Sequence, residues 1–211
     1  MVYGLNVKPE WGHYPKVKTH DGDSASAKAI ITPDGGVGTG GFPRETANLP
    51  KRVTWSVPNR KPVPDFDQTP MLNVSERARR VIEGLEPGVH QFVPVEYYNK
   101  KGMLIENRYW FVVCNRIDSL DREHTTMILS LPMEGWCTIK DAERWGIPIP
   151  DHLDPGQPSK IVFNLRQIGC AHMWHDKYLG SGEFMSDHMA EEIQKAGLTG
   201  LRLENSRVEA V

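Results

Sequence analysis

Hydrophobic residues recur at helical spacing in two similar stretches of the chain. In NVSERARRVIEGLEPG, residues 73–88, a serine that can cap a helix precedes an acidic residue, and apolar side chains return every three or four positions. FMSDHMAEEIQKAGLTGLRLE, residues 184–204, has the same order, with Ser186 as cap, Gly197 as terminator and a predicted strand after it. We attribute the likeness to shared capping chemistry, with a pseudo-symmetric pair of helix-strand arms as the alternative.

Strand signals dominate the middle of the chain. VHQFVPVEYY and MLIENRYWFVVCN, residues 89–98 and 103–115, are rich in β-branched and aromatic residues and are separated by NKKG, which predicts a hairpin. TMILSL and SKIVFNL, residues 126–131 and 159–165, also have strand composition, and IKDAERWG, residues 139–146, predicts a short helix.

Turn-forming residues set the N-terminal third apart. Prolines recur from Met1 to about Pro70, and GGVGTGG occupies residues 35–41, so only short strands between loops are expected there. The predicted fold class is α+β: a mostly antiparallel sheet, two or three amphipathic helices and an irregular Pro/Gly-rich N-terminal extension. The predicted divisions are an irregular segment with short strands at 1–70, an α+β core at 71–205 and a tail at 206–211.

Composition and charge narrow the class of protein. The chain has 211 residues and a formal net charge of -2, with charges interspersed, which argues against nucleic acid as the main partner. No apolar run reaches the ~18 residues of a membrane span, and the N-terminus lacks the features of a secretory signal. We therefore expect a cytoplasmic protein without a membrane partner. Its three cysteines, Cys114, Cys137 and Cys170, lie far apart and are predicted to be reduced and mostly buried.

Two motifs invite a chemical interpretation. GVGTGG, residues 36–41, fits the spacing of a dinucleotide fingerprint, but FPRETANLP follows where a phosphate-binding helix should begin, which favours a flexible loop. Asp118, Asp121, Glu123 and His124 gather carboxylates around an imidazole, a combination that can do acid-base work. Such a run after a strand is more typical of a solvated turn, and no nucleophile or binding loop adjoins it.

The segment CAHMWHD, residues 170–176, combines a thiol, two imidazoles and a carboxylate. Its composition predicts a strand, so His172 and His175 would lie on opposite faces and could not share one ion. His172 and Asp176 would share a face but stand about 13 Å apart at ~3.3 Å per residue, whereas zinc ligands lie at about 2.0 to 2.3 Å. We therefore expect no metal here, with Trp174 and Asp176 facing away from His175 and the polar side chains on a rim.

Three parts of the sequence carry a resemblance to a known family. They are the serine-acid helix start followed by FVPVE, the run NRIDSLD that ends at Asp121, and the closing SDHMAEEIQKAGLTGL. In this order they resemble immunity family eleven of bacterial polymorphic toxin systems, once a domain of unknown function. The resemblance covers about Pro50 to Glu204 and leaves the first 49 residues unmatched.

The resemblance implies a protein that binds a cognate toxin made by the same cell and blocks it in a stoichiometric complex, not an enzyme. It supplies no catalytic, metal or cofactor residues. Aromatic and arginine side chains commonly anchor such interfaces. The candidate toxin contacts are Trp11, Tyr14, Trp55, Arg60, Trp136, Trp174 and His175.

Three alternatives stay open at this point. One is a metal-dependent hydrolase that uses His172, His175 and Asp176, with Cys170 or His124 as further candidates. Another is a general protein-binding adaptor without a toxin. The third is immunity by an enzymatic reaction that reverses a modification made by the toxin.

Overall fold

Two curled six-stranded sheets, each resembling half of a barrel, form the frame of the protein. The computed structural model of the chain describes residues 1–8, 16–21, 28–29, 40–56, 62–180, 182–203 and 207–211. Two small two-stranded sheets and four short helices complete the architecture of these parts of the chain.

The strands are short except for one hairpin, and they are β1 Val2–Gly4, β2 Lys16–Thr19, β3 Lys28–Ala29, β4 Arg44–Glu45, β5 Arg52–Ser56, β6 Phe66–Asp67, β7 Asn73–Ser75, β8 Gln91–Tyr98, β9 Leu104–Val112, β10 Arg116–Ile117, β11 Ile128–Ser130, β12 Gly135–Cys137, β13 Val162–Phe163, β14 Met173–Asp176, β15 Glu183–Ser186 and β16 Arg207–Ala210. The helices are α1 Glu76–Leu85, α2 Ile139–Trp145, α3 Leu165–Ile168 and α4 Asp187–Lys195.

The first large sheet has the strand order β2-β5-β8-β9-β7-β6. Its centre is the predicted hairpin of β8 and β9, which pairs Phe92 with Phe111 and carries a bulge near Tyr97. The second large sheet has the order β10-β14-β15-β1-β16-β13. Strand β1 lies inside it, between β15 and β16, so both ends of the chain are built into the same sheet.

Serine caps begin the two longest helices, as predicted. The Ser75 hydroxyl accepts a hydrogen bond from the Ala78 amide at the start of α1, and Ser186 does the same for Met189 at the start of α4. In each case the cap is also the last residue of a strand, β7 or β15, so the chain passes directly from sheet to helix.

The main core joins the two sheets through these helices. Val74 and Phe111 come from the first sheet, Met173 and Met185 from the second, and α1 and α4 pack between them. Burial of these apolar side chains is the dominant favourable term in folding. The two sheets therefore share one core.

The α+β class is confirmed for the described residues, and several local predictions change. Residues 159–165 contain only a two-residue strand, because Asn164 caps the unpredicted helix α3. Of the strand predicted at 200–204, the described residues 200–203 contain a single bridge at Leu201, and the predicted tail contains β16, paired with β1 and β13. The division at residue 70 stays a prediction, although strands from either side of it share both large sheets.

Two further features bear on function. Helices in the described ranges are too short and too polar for any of them to cross a membrane. The cysteines are free: Cys137 is buried and Cys114 is half-buried, and Cys170 is the one of the three that is exposed, against the expectation of mostly buried cysteines.

Gly200 packs closely against the backbone of Phe66 in strand β6. Its φ is +96°, and a Cβ there would lie 2.0 Å from the backbone oxygen of Phe66. We expect Gly200→Ala to lower the free energy of unfolding by about 3 kcal/mol, through backbone strain and this clash. Urea unfolding monitored by tryptophan fluorescence measures the change.

Gly84 provides the matched control. It lies in α1 with nothing within 4 Å of an added Cβ, so Gly84→Ala should raise the stability by about 0.5–1 kcal/mol through helix propensity. Equal effects from the two substitutions would contradict the assigned packing at Gly200.

Candidate functional site

Strand β14 covers only Met173–Asp176 of the segment 170–176, and residues 170–172 precede it outside any strand. Met173 lies in the core shared by the sheets, and Trp174 lies in a different cluster with Phe163 and Phe184. The His172 ring lies 2.8 Å from the Ser186 hydroxyl, whereas the His175 ring faces Glu183 at 3.4 Å. The two rings therefore contact different groups, but His172 precedes β14, so the predicted placement on opposite faces of one strand does not apply to this pair.

Asp176 corrects the prediction of a polar rim. Its side chain is 1 % exposed. One carboxylate oxygen accepts from the backbone amide and hydroxyl of Ser119, and the other accepts from the amides of Tyr178 and Leu179. The Trp174 indole also donates to the Ser119 hydroxyl at 3.1 Å. The carboxylate therefore organises the end of β14 and has its acceptor positions occupied.

Glu86 is a second buried carboxylate, and the sequence interpretation missed it. It accepts from four groups: the His90 ring at 2.8 Å, the Asn115 amide at 2.9 Å, and the backbone amides of His172 and Met173 at 2.8 and 2.9 Å. His90 in turn accepts from the Cys114 amide through Nδ1, so its Nε2 carries the proton donated to Glu86. This network ties the end of α1 to the start of β14.

The pKa of Glu86 reflects this network. Burial alone would raise the pKa, but the hydrogen bonds from His90 and the His172 amide outweigh it and hold the pKa below its ordinary value. The four-residue spacing between Glu86 and His90 was the available sequence signal. The long-range partners, more than 80 residues later, were not visible in it.

The cluster at Asp118 to His124 is a hydrogen-bonded turn. One Asp121 oxygen accepts from the amides of Glu123 and His124 and contacts the His124 ring at 2.8 Å, while the other accepts from Asn164. Burial raises the pKa of Asp121, but these hydrogen bonds, led by the His124 ring, bring it below the usual range. The exposure of Glu123 and His124 fits the interpretation of this run as a solvated turn, and the hydrogen bonds of Asp121 add a fixed conformation.

A polar cleft of about 480 Å³ lies where the two large sheets meet, and His175 forms part of its wall. Arg44, Asp67 and Glu183 supply the other charged groups, while Phe111 and the neighbouring valines are apolar. Proton transfer by the His175–Glu183 pair is chemically feasible. No serine or cysteine is among the described residues of the wall.

The carboxylates of the cleft differ in their electrostatics. Burial would raise the pKa of Glu183, but His175 first and then Arg44 bring it below its ordinary value. Burial raises the pKa of Asp67, in spite of a hydrogen bond from Asn73 and the nearby Arg108 guanidinium. The cleft therefore combines cationic and anionic groups.

The end of the glycine-rich segment packs directly against the His175 ring. A Cβ on Gly40 would lie 2.2 Å from Nδ1 of His175, and one on Gly41 would lie 2.6 Å from the Cβ of Arg116. The Arg116 guanidinium donates to the Gly40 carbonyl at 3.1 Å. These two glycines are needed for close packing, and residues 35–39 lie outside the described residues. The segment leads to strand β4, with no helix at the position that a dinucleotide site requires.

The predicted toxin contacts are scattered. Trp11, Tyr14 and Arg60 lie outside the described residues. Trp55 and Trp174 are 4 % and 0 % exposed, so their rings serve the core and present no surface to a partner.

Two of the predicted contacts are accessible. Trp136 is half-buried, with an indole N–H that has no hydrogen-bond partner within the described part of the chain. His175 is partly exposed at the cleft. Trp136 packs against the same apolar cluster as Trp174, whereas Trp55 belongs to a different cluster, so the described candidates do not form one patch.

Metal ligation has little support in the described ranges. No group of three or more histidine, cysteine or carboxylate side chains is arranged there to hold an ion. His172, His175 and Asp176, the set required by the hydrolase alternative, each have separate protein partners.

The fold and these contacts define an α+β protein. Its clustered polar side chains mostly form hydrogen bonds that stabilise the fold. The chain belongs to the immunity protein family Imm11, whose family model matches residues 7–207. This match confirms the resemblance and extends it into the Pro/Gly-rich N-terminal third. A comparison with curated proteins gave no match.

Proposed function

We propose that the protein neutralises a cognate toxin by forming a stoichiometric, non-enzymatic complex with it. The match to the immunity family over residues 7–207 carries this proposal. The partner is then a protein, and the protective event is binding.

The contacts of the conspicuous polar groups support binding over chemistry. The Asp176 and Glu86 carboxylates each accept four hydrogen bonds from the protein itself. Burial also raises the pKa of Cys114 and Cys137, which disfavours the thiolate that nucleophilic attack requires.

The proposed function sets a requirement on the size of the binding surface. An immunity protein must outcompete the toxin's substrate, which calls for slow release and an interface of about 1,600 Å² in total. Among the predicted contacts, we retain Trp11, Tyr14, Arg60, Trp136 and His175 as candidates, and we assign Trp55 and Trp174 to the core.

Titration of the toxin distinguishes binding from reversal chemistry. The product of the adjacent gene is the toxin to test, and its activity should fall linearly with added immunity protein and end at one equivalent. Binding should raise the thermal midpoint of the complex by mass action. Isothermal calorimetry supplies the stoichiometry.

Two results would count against this proposal. Full protection by a small fraction of an equivalent, increasing with time, would indicate turnover and therefore an enzyme. If no ratio of immunity protein to toxin gives protection or a complex, the tested toxin is not the partner. Bovine serum albumin at the same concentration controls for unspecific stabilisation.

A further inference from the structure

The β8–β9 hairpin extends beyond the strands that flank it. On one side, the pairing of β5 with β8 ends at Thr54 and Tyr98. On the other side, the pairing of β7 with β9 ends at Ser75 and Arg108. Among the described residues, 99–107 therefore pair with no strand outside their own hairpin. We call residues 99–105 the hairpin tip.

The hairpin tip is apolar on both of its faces. Met103, Leu104 and Ile105 are consecutive and 58 %, 50 % and 43 % exposed. Successive residues of a strand point to opposite faces, so a ribbon lying on the protein body would bury at least one of the three. The three adjacent apolar side chains are therefore accessible to another molecule.

The turn holds this surface in one conformation. The Asn99 side-chain oxygen accepts from the amides of Lys101 and Met103 at 2.8 and 3.0 Å. Gly102, with φ +75°, donates to the Asn99 carbonyl, and Asn99 donates to the Met103 carbonyl. A pre-formed tip loses little conformational entropy when it binds, which favours affinity.

The charges around the tip indicate the chemistry of its partner. Lys100 and Lys101 are exposed and form no ion pair among the described residues. The carboxylates of the same two strands are already engaged: Glu96 with Arg52 and Tyr98, and Glu106 with Arg108 at 3.1 Å. The tip is therefore a positively charged, apolar wedge, which is complementary to an apolar cleft with an acidic rim.

We propose that the hairpin tip inserts into such a cleft on the toxin and blocks it. This inference rests on the proposed function and identifies the part of the chain that carries the contact. Leu104 and Ile105 fill the apolar floor, and the two lysines pair with carboxylates at the rim.

Substitutions at the tip test the insertion. Leu104→Ser/Ile105→Ser should weaken the complex with the toxin about 100-fold, since buried apolar anchors dominate such interfaces. Lys100→Glu/Lys101→Glu should slow association about tenfold at low salt and much less at high salt. Surface plasmon resonance on the full chain gives both rates, and circular dichroism confirms that the variants fold.

Leu131→Ser/Met133→Ser is the matched control. These residues also lie in a turn and are 68 % and 49 % exposed, and their replacement should leave toxin affinity unchanged. Affinity of the tip variant within threefold of the wild type, or an equal loss in the control, would overturn the insertion. A tip variant that no longer forms a dimer seen for the wild-type chain, but still binds the toxin, would also overturn the insertion. That result would assign the tip surface to self-association.

The two proposals fail in different ways. If the wild-type chain forms no complex with the toxin, the proposed function is wrong. If the wild-type chain binds and the tip variant binds equally well, the proposed function stands and the assignment of the tip is wrong.

Discussion

Replacement of Glu86 by glutamine should lower the free energy of unfolding at pH 7 by about 2–4 kcal/mol. The carboxylate accepts from four donors in a buried site. Glutamine offers one oxygen, and its NH₂ group would face donors that then have no acceptor. Urea unfolding followed by circular dichroism measures the loss.

The same variant has a defined pH dependence. The folded-state pKa of Glu86 lies below its ordinary value of 4.5, so the carboxylate contributes stability above that pH, and the contribution is lost as the pH falls through the folded pKa. The difference between wild type and Glu86→Gln should therefore be greatest at neutral pH and shrink as the pH falls through the lowered pKa of the folded state. A difference that grows on acidification would contradict the assignment.

Glu191→Gln is the control for this experiment. Glu191 is exposed on the outer side of α4, so its replacement should change stability by less than about 0.5 kcal/mol. A loss at Glu191 as large as that at Glu86 would show that charge removal in general, and not the buried network, determines the effect.

Replacement of Asp176 by asparagine should also cost about 2–4 kcal/mol. Ser119 donates twice to one oxygen and the amides of Tyr178 and Leu179 donate to the other, so an asparagine NH₂ would face two donors whichever way it is turned. Denaturant unfolding at pH 7 measures the change, with Asp151→Asn as an exposed control.

This variant also tests the hydrolase alternative. If Asp176 were a metal ligand, its replacement would reduce metal uptake by protein purified without a histidine tag. We expect the same trace metal content in both proteins. Wild-type stability in Asp176→Asn, together with lost metal binding, would contradict the structural role.

Features with local causes were predictable from the sequence. The caps Ser75 and Ser186 act on amides three residues later, and the helix faces follow from a spacing of three to four residues. These predictions are confirmed because the interactions behind them lie within one turn.

Features with distant causes were not predictable. The burial of Asp176 depends on Ser119, 57 residues earlier, and that of Glu86 depends on amides of β14, more than 80 residues later. The sequence made Trp174 a candidate surface residue, whereas in the structure it packs in the core against Phe163 and Phe184. Strand composition alone does not reveal which side of a sheet a later segment will cover.

The hairpin tip shows the same division between local and tertiary information. The sequence by itself determined that residues 89–98 and 103–115 form a hairpin with a short turn, and it indicated the immunity family through its motifs. Only the tertiary structure decided that pairing with the flanking strands stops before the tip, which leaves Met103, Leu104 and Ile105 exposed. Exposure depends on where non-local neighbours stop, and no local pattern of residues encodes that.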